Sequence, residues 1–458
     1  MRTGQARRDD RALAGVHVDG WNAQRRLGRR QLVLLPVLAL TLAAALALRP
    51  AFAGDLLQLA TYALVSAIIA LKLSVVLLAR RPPPVALPDP AALPRYTVIA
   101  PMYREPAVCP QLVAHLDGLI YPRDRLQVLL TLELDDIETL AALQAMELPP
   151  GFEIFVAPPG WPKTKPRACN EALAVATGEL LVIYDAEDRP EPGQLLEAAA
   201  RFAAEPRTGC FQAPLRIDQT RGFLGEQFAF EYAAQFETLM PALHRLGAPF
   251  PLGGSSNHFR TDVLRALGGW DPHNVTEDAD LAFRMAAARL RCGLLATPTW
   301  EEPPHRLRDW VPQRSRWVKG HLQTWLVHMR RPVSGGARRF IAIQATLGLG
   351  IVTAFAHGPL TLLLLLDVFL RLTGLREPPL GPEEGALLLG SWSTSLFAMW
   401  VGARRATVKL GLRQALQAPF YWPLHTMAAL KAVWQLFRKP FHWEKTDHQP
   451  VGAGLKAA

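Results

Sequence analysis

The residues most suited to chemistry in this sequence are acids placed at the ends of apolar runs. Asp185, Glu187 and Asp188 close the run LLVIY (180–184) and are followed by Pro190. A strand ending this way points carboxylates into the crevice above a sheet, where they suit a hard divalent cation shared with phosphate oxygens. A solvated acidic turn would carry the same residues. Asp135 and Asp136 end the earlier run LQVLLTLEL (126–134) in the same manner, so two strand ends would share one crevice. In PKTKPRACNEAL (162–173), Lys163, Lys165 and Arg167 precede a helix with Asn170 in its first turn, and a helix N-terminus suits a diphosphate. In NVTEDADLAFRM, Thr276 is placed to cap a helix through Leu281–Arg291. Glu277 and Asp278 then either complement its positive end or offer Asp278 as a general base. QRSRW (313–317) sets Gln313, Arg314 and Arg316 beside Trp317. Interface cations and anchors would look the same, as would a platform for a sugar ring.

Positioning these groups requires strands and crossover helices. YTVIAP (96–101), LQVLLTLEL, FEIFVAP (152–158) and ELLVIYDAED (179–188) read as strands, with helices near 107–120, 137–146 and 167–177. The alternation predicts a parallel sheet that binds ligands at the carboxyl ends of its strands. Neither G-x-G-x-x-G nor a Walker lysine loop is present, which argues against the usual dinucleotide and ATP sites.

On either side the chain turns apolar. Residues 31–48 and 56–79 are each long enough to cross a bilayer. The charged lead before the first is too long for a signal peptide. Residues 340–370, broken by His357-Gly358-Pro359, read as one kinked span, and 386–402 as another. Residues 413–437 are mixed and read as an interfacial helix. The net charge of +10 does not point to nucleic acid, because the arginines cluster beside apolar runs, as at Arg80 and Arg81 or Arg404 and Arg405. Such flanks hold loops on the cytoplasmic side. Cys109, Cys169, Cys210 and Cys292 show neither metal-ligand spacing nor a paired framework.

In this order, YTVIAPMYREP, an acidic pair, KPRACNEAL, a D-x-D-like group, TED and Q-x-x-R-W resemble the membrane-embedded family-2 glycosyltransferases, typified by cellulose and hyaluronan synthases. The resemblance covers about residues 96–330 and extends to the flanking spans. It implies an α/β, GT-A-like (Rossmann-like) cytoplasmic domain inserted between transmembrane helices. Asp136 or Asp135 would contact the base and ribose of a nucleotide sugar, with Glu105 nearby, and Lys165 would face its diphosphate. Asp185 with Glu187 or Asp188 would hold Mg²⁺ or Mn²⁺, and Asp278 would be the base of an inverting transfer. Thr276, Glu277, Gln313, Arg316 and Trp317 would serve the acceptor, as would GGSSNHFR (253–260). FHWEKTDH (441–448) loosely resembles the lid of cellulose synthase, which would make Lys445 and Thr446 lid residues.

The expected organisation is a basic arm (1–30), two spans (31–80), a Pro-rich linker (81–95), the catalytic domain (96–339), returning spans with an interfacial helix (340–437) and a tail (438–458). The expected setting is a bacterial-type inner membrane, with a glycan or lipid-linked acceptor and an export partner or homo-oligomer. A catalytically idle membrane scaffold is the rival, hinted at by Glu187 where the family motif has Asp.

Overall fold

The computed structural model describes residues 21–442, apart from positions 219, 376, 378, 379 and 410. The strands are β1 (Tyr96–Met102), β2 (Leu126–Glu133), β3 (Phe152–Ala157), β4 (Leu180–Ile183), β5 (Arg189–Pro190), β6 (Thr208–Gln212), β7 (Leu215–Ile217), β8 (Asn257–Arg260), β9 (Arg291–Leu294) and β10 (Thr299–Glu301). The first four pair in parallel in the order β3-β2-β1-β4. Val98, Ile99, Leu129, Leu181 and Val182 are fully or almost fully buried, as near-continuous apolar runs demand when both faces of a sheet are covered. Helices Cys109–Asp117, Ile137–Gln144 and Lys165–Val175 make the crossovers.

The expectation of a wholly parallel sheet is corrected in its second half. β8 runs antiparallel to both β4 and β6, and β9 returns parallel to β6, giving a seven-stranded mixed sheet. A second sheet, β5-β10-β7, continues from the end of β4 and brings Glu301 towards it. One core lies under Val98, Leu112 and Phe202. The other runs from Ile99 and Leu181 through Phe228 and Trp310 to Met399 and Tyr421, so the sheet and the apolar helices share it.

Among the described residues, four helices are long and apolar enough to cross a membrane: Arg29–Leu48, Pro50–Leu78, Ala337–Thr373 and Pro382–Arg405. The third is continuous past Pro359 and contains a π-helical turn at Gln344–Gly348. The segment read as one interfacial helix is two, Leu412–Tyr421 and Leu424–Arg438. Pro423 divides them, because it lacks the N–H that would continue the first. One end of each long helix abuts the α/β domain. Gln31 donates to Leu326 O (2.8 Å), Arg405 to Ala79 O (3.3 Å) and Glu237 O (2.9 Å), and Arg339 to Phe283 O (3.0 Å). At the far end Gln58 and Tyr62 meet Glu384.

Candidate active site

The strand ends open into a cleft of about 880 Å³ lined by Glu105, Lys163, Lys165, Asp185, Glu187 and Arg316, among others. β1 supplies its first wall. Arg104 follows that strand with a φ of 55°, a conformation a side chain adopts only at some cost. Its N–H donates to Asp136 Oδ2 (2.5 Å). Asp136 also caps the helix Ile137–Gln144 by accepting from Thr139 N (3.2 Å) and is buried. Its carboxylate is thus committed to backbone. Of the acidic pair it is Asp135 that stands exposed at the rim, ion-paired with Lys163, whose ammonium also donates to Tyr103 (2.8 Å).

β4 supplies the second wall. Asp185 is ion-paired with Lys165, the first residue of its helix, and Lys165 also donates to Gly254 O (2.9 Å). Burial works against the Lys165 charge, but Asp185 and Glu277 outweigh it and raise its pKa. Glu187 faces the cleft. Asp188, offered by the sequence as an alternative ligand, lies underneath, fully buried. It accepts from Asp185 N (2.7 Å) and from the Ser255 hydroxyl. Burial, then Glu301, Asp185 and Glu187, push its pKa well above the carboxylate range. A group that braces the turn in this way is poorly placed to reach a ligand in the cleft.

The third wall is the start of the helix Glu277–Ala287. Thr276 is its N-cap by position, as the sequence predicts, yet its hydroxyl makes no capping bond and finds no partner among the described residues. Asp278 accepts from Ala279 N (2.6 Å) and lies beside Gly254. A Cβ built on Gly254 would lie 3.4 Å from Asp278 Oδ2 and 4.0 Å from Asp185 Oδ2, so this glycine lets the two carboxylates face one another. Burial lifts the Asp278 pKa to about 6, against the Ala279 N–H and Lys165, which lower it. Glu277 is lifted to about 8 by burial and by Asp278.

The fourth wall is the helix Leu307–His328. Arg316 lines the cleft, where burial lowers its pKa against the opposing pull of Asp185, Glu277, Glu187 and Asp278. Trp317 packs beside Phe228 and Tyr232 at centroid distances of 5.9 and 6.1 Å, with the Arg314 guanidinium 4.5 Å over its ring. Arg314 itself turns to Glu231. The Gln313 carbonyl oxygen finds no partner among the described residues.

Glu301 is absent from the sequence reading. It ends β10, and burial, Glu187 and Asp185 lift its pKa to about 8. Its signal was available: an acid closing a short strand and followed by Glu302-Pro303-Pro304 repeats the pattern of Asp185. Lys445 and Thr446 lie outside the described residues. The chain approaching them is held near the cleft. Phe441 packs on Trp161 and His273, at 5.7 and 5.0 Å between centroids, and Lys319 donates to His442 O (2.7 Å).

Acids thus crowd the cleft around Lys165 and Arg316. No three His, Cys, Asp or Glu residues are grouped to hold a metal by themselves among the described residues. Two cleft carboxylates with further oxygens from a ligand fit Mg²⁺ or Mn²⁺. The raised acids also have a thermodynamic consequence. Above the ordinary carboxylate range the folded chain holds protons that the unfolded chain has lost, on Asp278 up to about pH 6 and on Glu277 and Glu301 up to about pH 8. Stability of metal-free protein is therefore expected to fall as pH rises from 5 to 8. Thermal unfolding in a chelator across that range checks this, and added Mn²⁺ should recover most at the alkaline end.

The mixed sheet, with acids from β2, β4 and β10 around one cleft, defines a GT-A-like α/β protein. Residues 180–425 match Glycosyl transferase family group 2, and residues 97–258 match Glycosyl transferase family 2. The first match takes in more than half of the chain, which belongs to this family. A probable glycosyltransferase of Bacillus subtilis is 24% identical over 238 residues, 50% of this chain and 56% of that protein. The chain thus spans little more than half of that relative's length. A beta-monoglucosyldiacylglycerol synthase of Synechocystis is 26% identical over 394 residues, covering 80% of this chain and 78% of the other. A mannosyltransferase of Pyrobaculum calidifontis, solved with GDP-Man and Mn²⁺, superposes with a TM-score of 0.51 at 19% identity, over 88% of this chain and 99% of that one, a likeness of fold.

Proposed function

We propose that the chain transfers a hexose from a nucleoside-diphosphate sugar to a hydroxyl presented at a membrane, inverting the anomeric carbon. The observation that carries this reading is Asp278 facing Asp185 across Gly254, with Lys165 and Arg316 in the same cleft. Asp135 and Glu105 bind the nucleoside, and Lys165 and Arg316 take the diphosphate. Asp185 and Glu187 would hold a divalent cation, which would supply charge neutralisation for the departing diphosphate. Asp278 removes the acceptor's proton while the acceptor oxygen bonds to the anomeric carbon. The bond from that carbon to the diphosphate oxygen breaks on the opposite face, and the pair of electrons leaves with the nucleotide. Positioned cations that meet this charge usually contribute the largest share of the rate. Trp317 and Gln313 flank the acceptor, and Glu277 sits beside the base as a carboxyl that stays protonated near neutrality.

The membrane reading rests on the four apolar helices and their basic ends. With the Arg29, Leu78, Ala337 and Arg405 ends cytoplasmic, residues 96–339 form a cytoplasmic domain between two helix pairs. A lipid acceptor is favoured over a growing polymer. The Synechocystis relative, which aligns over most of both chains, is named as a beta-monoglucosyldiacylglycerol synthase. Helices Leu412–Tyr421 and Leu424–Arg438 would lie at the interface, and Tyr421 touches the acceptor-side helix through Trp310 (2.9 Å).

The test is nucleotide release by the full chain in nanodiscs, screened over UDP- and GDP-sugars with Mn²⁺ and diacylglycerol. Turnover that requires the lipid, with inverted product, is expected. Retained configuration, or no turnover with any donor by folded protein, defeats the reading. Because the base must be deprotonated, the rate should rise through about pH 6, following Asp278.

A further inference from the structure

A second, shallow groove lies away from the cleft, where the α/β domain meets the ends of two long helices. Its rim is cationic. Arg81 and Arg216 both pair with Glu237, at 3.5 and 2.7 Å, and the Arg81 side chain remains 56% exposed. Arg405 donates to Glu237 O (2.9 Å), and Arg80 to Ala79 O (3.2 Å). Two guanidiniums thus share the Glu237 carboxylate, while Arg405 and Arg80 reach only backbone carbonyls. The floor is apolar, formed by Phe236, Pro241 and Leu294.

Basic residues at helix ends are ordinary cytoplasmic flanks, and Arg80, Arg81 and Arg405 alone would need no more explanation. Arg216 is different. It lies on β7, far in sequence from any long helix, yet turns its guanidinium to the same carboxylate. An inorganic anion would have no use for the apolar floor. A molecule with a phosphate at one end and hydrocarbon at the other uses both surfaces.

We propose that this groove binds the headgroup of an anionic phospholipid, with the phosphate at Arg80 and Arg81 and the glycerol end over Phe236. The proposal rests on the membrane reading but not on the transferase chemistry. Its position also ties it to the cleft. Phe236 packs on Tyr232 at 5.5 Å, and Tyr232 on Trp317 at 6.1 Å.

The experiment is a binding titration of the full chain in neutral detergent with short-chain phosphatidylglycerol, phosphatidylcholine and inorganic phosphate. Saturable binding of phosphatidylglycerol alone is expected. Arg80→Gln with Arg81→Gln should weaken it roughly 25-fold, from about fivefold for each basic residue beside an anionic lipid. Arg80→Gln alone gives a milder variant, expected to lose about fivefold. Arg29→Gln with Arg30→Gln removes equal charge from another helix end and should change affinity less than twofold. The proposal is overturned if the control pair loses as much, if the Arg80 and Arg81 variants bind like wild type, or if phosphate binds as tightly as the lipid. Flotation of wild-type protein with phosphatidylcholine liposomes tests the membrane reading separately.

Discussion

Asp278→Asn is expected to lower turnover roughly a hundred- to ten-thousandfold while leaving affinity for the nucleoside diphosphate within about twofold of wild type. Asparagine has nearly the same shape, and its amide oxygen can still accept from Ala279 N. It cannot take a proton at the pH of the reaction. The groups assigned to the donor, Asp185 and Lys165, keep their own ion pair in the variant. The loss should therefore fall in kcat, and the rise through about pH 6 should disappear with it. A purely structural role predicts another outcome. A carboxylate that only complements a helix N-terminus contributes about 0.3–1 kcal/mol, so the variant would melt slightly earlier and turn over nearly normally. Steady-state nucleotide release, with calorimetric titration of UDP or GDP in Mn²⁺, separates the two.

Much of the arrangement behind this expectation is legible in the sequence, and the exceptions share a cause. β1 to β4 are readable because strands buried on both faces must be apolar throughout, as Val98, Ile99, Leu181 and Val182 are. The acids that close them are readable because an apolar strand ending in carboxylates is conspicuous. β8 is hidden, since Asn257, His258 and Arg260 look like loop residues. Tertiary contacts make them a strand: His258 is buried against Tyr96, its Nδ1 2.6 Å from the phenol oxygen. The choice between Asp135 and Asp136, or between Glu187 and Asp188, is equally hidden. Neighbouring acids have the same chemistry in sequence, and only the turn that follows decides which accepts backbone N–H groups and which faces the cleft. Thr276 is readable as an N-cap, but its contact with Gly320 is hidden, because that helix lies some forty residues later.

That last contact leads to the second large effect, expected from Gly320→Ala. Alanine normally favours a helix by about 1 kcal/mol over glycine, so a surface position would gain stability. Here a Cβ would stand 2.4 Å from Thr276 Cγ2 and Oγ1 and 2.7 Å from Thr276 Cβ. The loop cannot simply move aside. Asn274 donates to Thr324 Oγ1 (2.8 Å) and Val275 N to Gln323 Oε1 (3.3 Å), which clamp residues 274–276 onto the same helix. Overpacking of this kind costs about 1–3 kcal/mol. The strain would pass directly to Glu277 and Asp278, the next residues along. A displacement of the base by about 1 Å is worth roughly a hundredfold in rate, so Gly320→Ala should lower kcat far more than it lowers the melting temperature. Thr276→Ala in the same chain removes both Cγ2 and Oγ1 but leaves Cβ, and should restore the rate in part. Thr276→Ala alone should cost less than Gly320→Ala alone. If the double variant is no faster than Gly320→Ala, the close approach of this glycine to Thr276 is not what positions Asp278.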